Sequence, residues 1–228
     1  MIQPHPDAAP SGLRIRRPAL HLEVVERLLD MIADGSLSPD ERINERVICE
    51  KLDISRTPLR EALLVLQAEG MVVLSPRKGA RVTKLGRSEI REILELLGGL
   101  EAMAGALACE RAAASAIEVV AARHDSMVDD YRRGDMLAYF KNNEWIHAEI
   151  VRLAGNREIA RVHRSLRRRV VRELYLPNAS ERRWLVAIEE HQGFVDALRA
   201  RDAARLGALL KDHAAHTWDE LVRPHEPN

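Results

Sequence analysis

The sequence predicts a mainly α-helical chain in two parts: three short helices closed by a small β-hairpin, then an all-α antiparallel bundle of six helices. Three observations carry this reading. Apolar residues recur at helical spacing along most of the chain. Two short apolar runs, MVVLS and ARVTK, are joined by PRKG and stand out as a hairpin with a basic tip. With 31% charged and only 4% aromatic residues, the composition suits a helical protein.

The elements follow in order. Ala19 to Gly35 is amphipathic, with Leu22, Val25, Leu28, Leu29 and Ile32 on one stripe and Gly35 as a stop. INERVICEKLD is a second, short helix that Asn44 can cap. The third begins at Ser55 in SRTPLREALLVLQAEG, where Ile54, Leu59, Ala62, Leu63 and Leu66 make the apolar face. The hairpin around Pro76 and Gly79 follows, and the chain divides near Gly86.

Three helices and a basic hairpin make a winged helix-turn-helix, here expected over residues 19–85. This accounts for an oddity of the third helix. Arg56 and Arg60 occupy its first two turns, where the helix dipole favours acids. A third helix that enters the major groove N-terminus first aims those arginines at phosphates and guanine edges. Arg46 can add a backbone contact, and the acid-free wing carries Arg77, Lys78, Arg81 and Lys84. The competing reading makes Arg56 and Arg60 solvated residues that pair with Glu61 or Glu45.

Bulk properties limit the partners. Formal net charge is zero, so DNA binding would rest on a local patch. Cys49 and Cys109 lie apart without CxxC spacing and read as reduced thiols of a cytoplasmic protein. No apolar run reaches membrane-spanning length. Residues 1–18 are Pro-rich, lack an apolar signal core and are expected to be a disordered tail.

From residue 86 to 224 the pattern is helix after helix: Arg87 to Ala112, Ala116 to Arg133, Met136 to Ala154, Arg157 to Tyr175, Ser180 to Ala200 and Ala203 to Val222. The breaks are RRGD, the C-cap-like Gly155-Asn156, and LPNAS with Pro177. Six helices of this length can enclose a sizeable core. Asn143 and His147 lie four apart on one helix face, and His191, His213 and His216 come from two further helices. Imidazoles and an amide oxygen converging inside a bundle can bind a divalent cation. The competing reading is a set of ordinary hydrogen-bonded histidines. Arg161, Arg164, Arg168 and Arg172 share another face, as a solvated or dimer-facing stripe or as a clamp for a carboxylate.

RINERVICEKLDISRTPLREALLVLQAEGMVVLSPRKGARV closely resembles the DNA-binding domain of GntR-family bacterial transcription regulators. The resemblance covers roughly Leu20 to Leu85 and rests on Glu45-Arg46, SRTPLREAL, Glu69-Gly70 and the RKGARV wing. It implies operator contacts by Arg46, Ser55, Arg56, Thr57, Arg60 and Lys78, with Thr57 on phosphate and Gly79 letting the wing tip approach the backbone. The second half resembles the FCD effector domain of the FadR subfamily, and its six helices are closer to the VanR branch. That likeness implies the metal ligands Asn143, His147, His191 and His213, and leaves His124, His163 and His216 as ordinary histidines. Zinc is the expected metal, with nickel or manganese as alternatives. The family's first ligand is usually an aspartate, where this chain has the neutral Asn143. An arginine that commonly lines the effector pocket, four residues before Glu101, is Leu97 here.

The function expected from these features is a ligand-responsive repressor, a homodimer on palindromic double-stranded operator DNA. Neutral ligands would leave the charge of a buried ion uncompensated. The expected effector is therefore a small carboxylate, helped by Arg161, Arg164 or Arg168. The alternative is a metal-dependent enzyme in the helical domain, for which Glu144 and Glu190 are the candidate bases.

Overall fold

The computed structural model describes residues 20–175 and 181–222. The expected N-terminal tail, the LPNAS break and the last residues of the bundle lie outside these. The first unit is α1 (Leu20–Ala33), β1 (Arg42–Ile43), α2 (Glu45–Leu52), α3 (Arg56–Ala68), β2 (Val72–Ser75) and β3 (Gly79–Val82). The second is α4 (Arg87–Arg111), α5 (Ala114–Arg132), α6 (Met136–Leu153), α7 (Arg157–Tyr175), α8 (Glu181–Ala200) and α9 (Ala203–Val222).

Local chemistry explains the boundaries. The Asn44 side chain accepts from the backbone N–H groups of Arg46 and Val47 and so caps α2. Asp53 ends that helix in the left-handed conformation. Asp135 caps α6 by accepting from the Ala138 N–H at 3.0 Å. Gly155, at φ +64°, takes the left-handed turn that stops α6.

The sheet has three strands in the order β1-β3-β2, all antiparallel. The β2–β3 hairpin is the expected wing. The addition is β1, whose Arg42 and Ile43 pair with Arg81 and Ala80. A two-residue strand has no periodicity to read, and only its partner makes it one.

Two cores form. Leu28, Leu59, Leu63 and Leu66 pack with Ile48, Val72, Ala80 and Val82 in the winged unit. Phe194, Met127, Ile146, Ile150, Leu198, Leu206 and Leu210 anchor the bundle. In α4, two glycines let α9 come close. A Cβ on Gly98 would stand 3.0 Å from that of Ala214, and one on Gly105 would stand 3.0 Å from the Leu206 and Leu210 side chains. This close contact brings α9, and His213 with it, against the centre of the bundle.

Candidate metal centre and nucleic-acid interface

His147 of α6, His191 of α8 and His213 of α9 converge in the bundle. They are 1%, 0% and 7% exposed, and one ring nitrogen of each lies within 4.8 Å of the others. Phe194 stacks against His191 at 4.8 Å between ring centroids and helps to close the site.

Two carboxylates orient the rings. His147 donates from Nδ1 to Glu101 Oε2 at 2.9 Å, which turns its Nε2 inward. His213 Nδ1 meets Glu190 Oε2 at 2.6 Å. Glu101 also holds His163 at 2.8 Å through its other oxygen. Glu190 is held in turn by Arg183 at 2.8 Å and by His216 at 2.6 Å. An imidazole that donates one N–H to a carboxylate presents its other nitrogen as a lone pair, the arrangement metal-bound histidines use.

The nitrogens left over are the decisive observation. His147 Nε2 and both ring nitrogens of His191 are buried without a hydrogen-bond partner. An unpartnered buried polar atom costs about 1–3 kcal/mol, and such atoms mark a missing ion or water. Protonation does not relieve them. Burial, with the neighbouring His147 and His213, holds His191 well below the usual histidine range. Burial lowers His213 to about 4, although Glu190 opposes the shift. Both rings are therefore neutral at pH 7 and able to ligate.

Burial raises the affinity of Glu101 for a proton, but the charge and hydrogen bond of His147, the hydrogen bond of His163 and nearby Arg167 more than reverse it. Glu190 behaves likewise: burial opposes ionisation, and His213 and Arg183 override it. Both carboxylates are ionised. The residues fit a divalent cation, and the three histidines form a possible metal site.

Asn143 lies one turn before His147, half-buried. Its amide nitrogen is 3.5 Å from Glu144, and no hydrogen bond to its Oδ1 forms among the described residues. The more buried amide is its neighbour Asn142, committed to Asp130 and Arg123. His124 contacts the Ile188 carbonyl at 3.1 Å. His163 and His216 lie outside the cluster and are hydrogen-bonded to its two orienting carboxylates, Glu101 and Glu190.

Arg161, Arg164 and Arg168 of α7 face away from the three histidines. Arg161 is exposed and pairs with Glu158 of its own helix. Arg164 is exposed on a groove of about 580 Å³ between α6 and α7. Arg168 reaches the winged unit, and the Arg172 side chain lies outside the described residues. The inward stripe is Ile159, His163 and Val170, one or two positions away from the arginine stripe. One residue of offset on a helix is a rotation of about 100°. The cation set against the histidines is instead Arg183 of α8, with NH2 3.4 Å from His213 Nδ1 and 3.0 Å from Thr217. No motif marked it in the sequence.

On the winged unit, Ser55, Arg56, Thr57 and Arg60 are exposed at the start of α3. Ser55 makes no side-chain cap bond. Arg60 Nε meets Glu45 at 3.0 Å, and exposed Arg46 pairs with Glu50 at 3.4 Å. Both pairs are solvent-facing and weak enough to exchange for phosphate. Lys78 is exposed at the wing tip, and Gly79 takes φ +81°, which a side chain would strain. Sequence reasoning missed Arg42. Strand β1 sets its guanidinium 3.6 Å from where a Gly79 Cβ would be, adding a cation to the wing.

A winged helix with an exposed basic face, joined to a helical bundle with a buried histidine cluster, is the architecture of a two-domain DNA-binding regulator. The chain belongs to the GntR family: residues 20–82 match the model of bacterial regulatory proteins of the gntR family, and residues 92–216 match the FCD domain. It is 30% identical to the Nta operon transcriptional regulator of Aminobacter aminovorans, over 81% of this chain and 86% of that one. It is 29% identical to a probable D-xylose utilization operon transcriptional repressor of Paenarthrobacter nicotinovorans, over 89% and 88%. The fold is shared with the solved E. coli McbR/YncC, with a TM-score of 0.79 at 24% identity, over 90% of this chain and 98% of that one. The protein is a transcriptional regulator and not an enzyme. In agreement, both candidate bases are engaged, Glu144 by Arg167 and Glu190 by Arg183, His213 and His216.

Proposed function

We propose that this protein is a cytoplasmic, dimeric repressor of the VanR-like branch, and that its helical domain holds a divalent metal and senses a small carboxylate. The single observation that carries the metal is the set of orphaned nitrogens on His147 and His191, buried beside His213. Those three residues would hold the ion, zinc first and nickel or manganese after it, with Asn143 as a weaker fourth ligand. Bound there, the metal supplies a Lewis-acidic centre for an anion. On the DNA side, the proposed contacts are Arg46, Ser55, Arg56, Thr57, Arg60, Lys78 and Gly79, supported by the exposure of Arg46 on α2, of Ser55, Arg56, Thr57 and Arg60 at one end of α3 and of Lys78 on the wing, and by the left-handed backbone of Gly79 at the wing tip. Repression is supported by the likeness to the Paenarthrobacter relative, a probable transcriptional repressor.

The charge balance favours an anionic effector, for a reason the sequence did not supply. Glu101 and Glu190 offset an ion of charge two, and Arg183 sets a guanidinium beside His213 and Glu190, where an anion on the ion could meet it. Arg183 is accordingly the better candidate than Arg161, Arg164 or Arg168 to meet a carboxylate.

Metal analysis of the purified protein, with calorimetric titration of small carboxylates, tests this. Asn143→Asp should tighten zinc and weaken the carboxylate by partly neutralising the ion. A protein without metal at saturating zinc, or a tighter anion in Asn143→Asp, would refute the reading.

A further inference from the structure

Three successive arginines of α7 face three different neighbours, because each helical residue is turned about 100° from the last. Arg167 points into the bundle and pairs with Glu144 of α6, three residues before His147. Arg168 crosses to the winged unit. Its NH2 lies 2.7 Å from Glu26 of α1, and its NH1 lies 3.2 Å from Glu69, the residue that closes α3. Arg169 lies over Gly70, where a Cβ would stand 3.4 Å from its Nε, and approaches Glu89 of α4 at 3.9 Å.

We propose that Arg168 is the positioning residue that sets how the winged unit stands on the bundle, and that the state of the histidine centre reaches the DNA-reading helix through α7. The guanidinium spans two acids from two elements of the winged unit. One of them, Glu69, is the rear end of the helix whose front end carries Arg56 and Arg60. A small shift of α7 along or about its axis therefore tilts α3. The drive for such a shift is one residue away. Arg167 ties α7 to α6, and α6 carries His147. The Arg168 contacts are strong enough to choose an arrangement and weak enough to release it, since their side chains are 25%, 64% and 28% exposed. Coupling needs an element whose placement both sites bias, and α7 is in contact with both.

The metal half of this inference rests on the proposed function; the docking half does not. The test therefore uses two readouts on the full chain. The first is a distance distribution between spin labels at two exposed sites, Val73→Cys on the wing and Val119→Cys on the bundle, with Cys49→Ser and Cys109→Ala removing the native thiols. Arg168→Ala should broaden a distribution that is narrow in the parent. Arg168→Glu combined with Glu26→Arg and Glu69→Arg should narrow it again. Arg168→Lys should be intermediate, because one ammonium does not span both acids. The second readout is operator affinity with zinc and with chelator. Arg168→Ala should keep its zinc stoichiometry but lose the change that zinc produces in the parent, to less than twofold. Distances and zinc response both unchanged in Arg168→Ala would overturn the proposal. If the parent binds no zinc, the proposed metal function falls, and Arg168 is judged by the distances alone.

Discussion

The winged unit and the bundle bury opposite kinds of residue. The winged core is apolar, and the charges proposed to meet DNA, Arg46, Arg56, Arg60 and Lys78, all face solvent. Among the described residues, the buried polar ones are Glu101, His124, Asp130, Asn142, His147, His163, His191 and His213, and all belong to the bundle. A surface that reads a long polyanion needs charges in water and costs the fold little. A centre that must strip a small ion of water has to be built inside, where each polar group needs a partner. In this molecule, exposed charges and a buried polar cluster carry different stability costs.

Mutations test that contrast. The largest effect is expected from Glu101→Ala, which strips the partner from both His147 and His163. Breaking a buried pair of this kind costs about 3–5 kcal/mol. Chemical denaturation of the mutant should show that loss, and zinc binding should fall with it. A change below about 1 kcal/mol would mean that the bundle tolerates unpaired polar groups as the surface does.

Acid comes next. His213 binds its proton near 4 when folded and near 6.5 when unfolded. The unfolded chain therefore holds more protons between those values, and stability rises with pH across that window. The contribution is present above about pH 6.5 and lost as pH falls towards 4, on the order of 3 kcal/mol for this group. His191 shifts in the same direction. Unfolding of the metal-free protein at pH 7 and pH 4.5 measures it. Equal stability at the two pH values would contradict the buried, neutral imidazoles.

On the winged side the cost moves from folding to binding. Arg56→Ala and Arg60→Ala should each weaken specific operator binding by about 1–3 kcal/mol. Folding stability should stay within about 0.5 kcal/mol of the parent, as for other exposed positions. Mobility shifts paired with melting curves separate the two. Unchanged operator affinity in both mutants would remove α3 from the groove. The smallest effect belongs to Lys78→Ala, expected to weaken specific and nonspecific DNA alike and to reduce the salt slope by about one. A loss confined to one sequence would make Lys78 a base reader instead.

The sequence by itself determined the helices, the winged unit and the Asn44 cap, whereas the convergence of the three histidines was legible only through the family resemblance. The first three depend on short-range rules: apolar spacing on one helix, a cap within three residues, a motif within one segment. Tertiary structure alone decided β1, the pairing of Glu101 with His147 and His163, the placement of Arg183 against His213, and the reach of Arg168 to Glu26. The physical reason is rotation and distance. A helical pattern shows which residues share a face, but packing decides where that face points. A side chain's partner 46, 62 or 142 residues away in the chain leaves no local trace. Glu101 reads in sequence as one more acid on an amphipathic helix, and meets His147 and His163 only when α4 is pressed against α6 and α7.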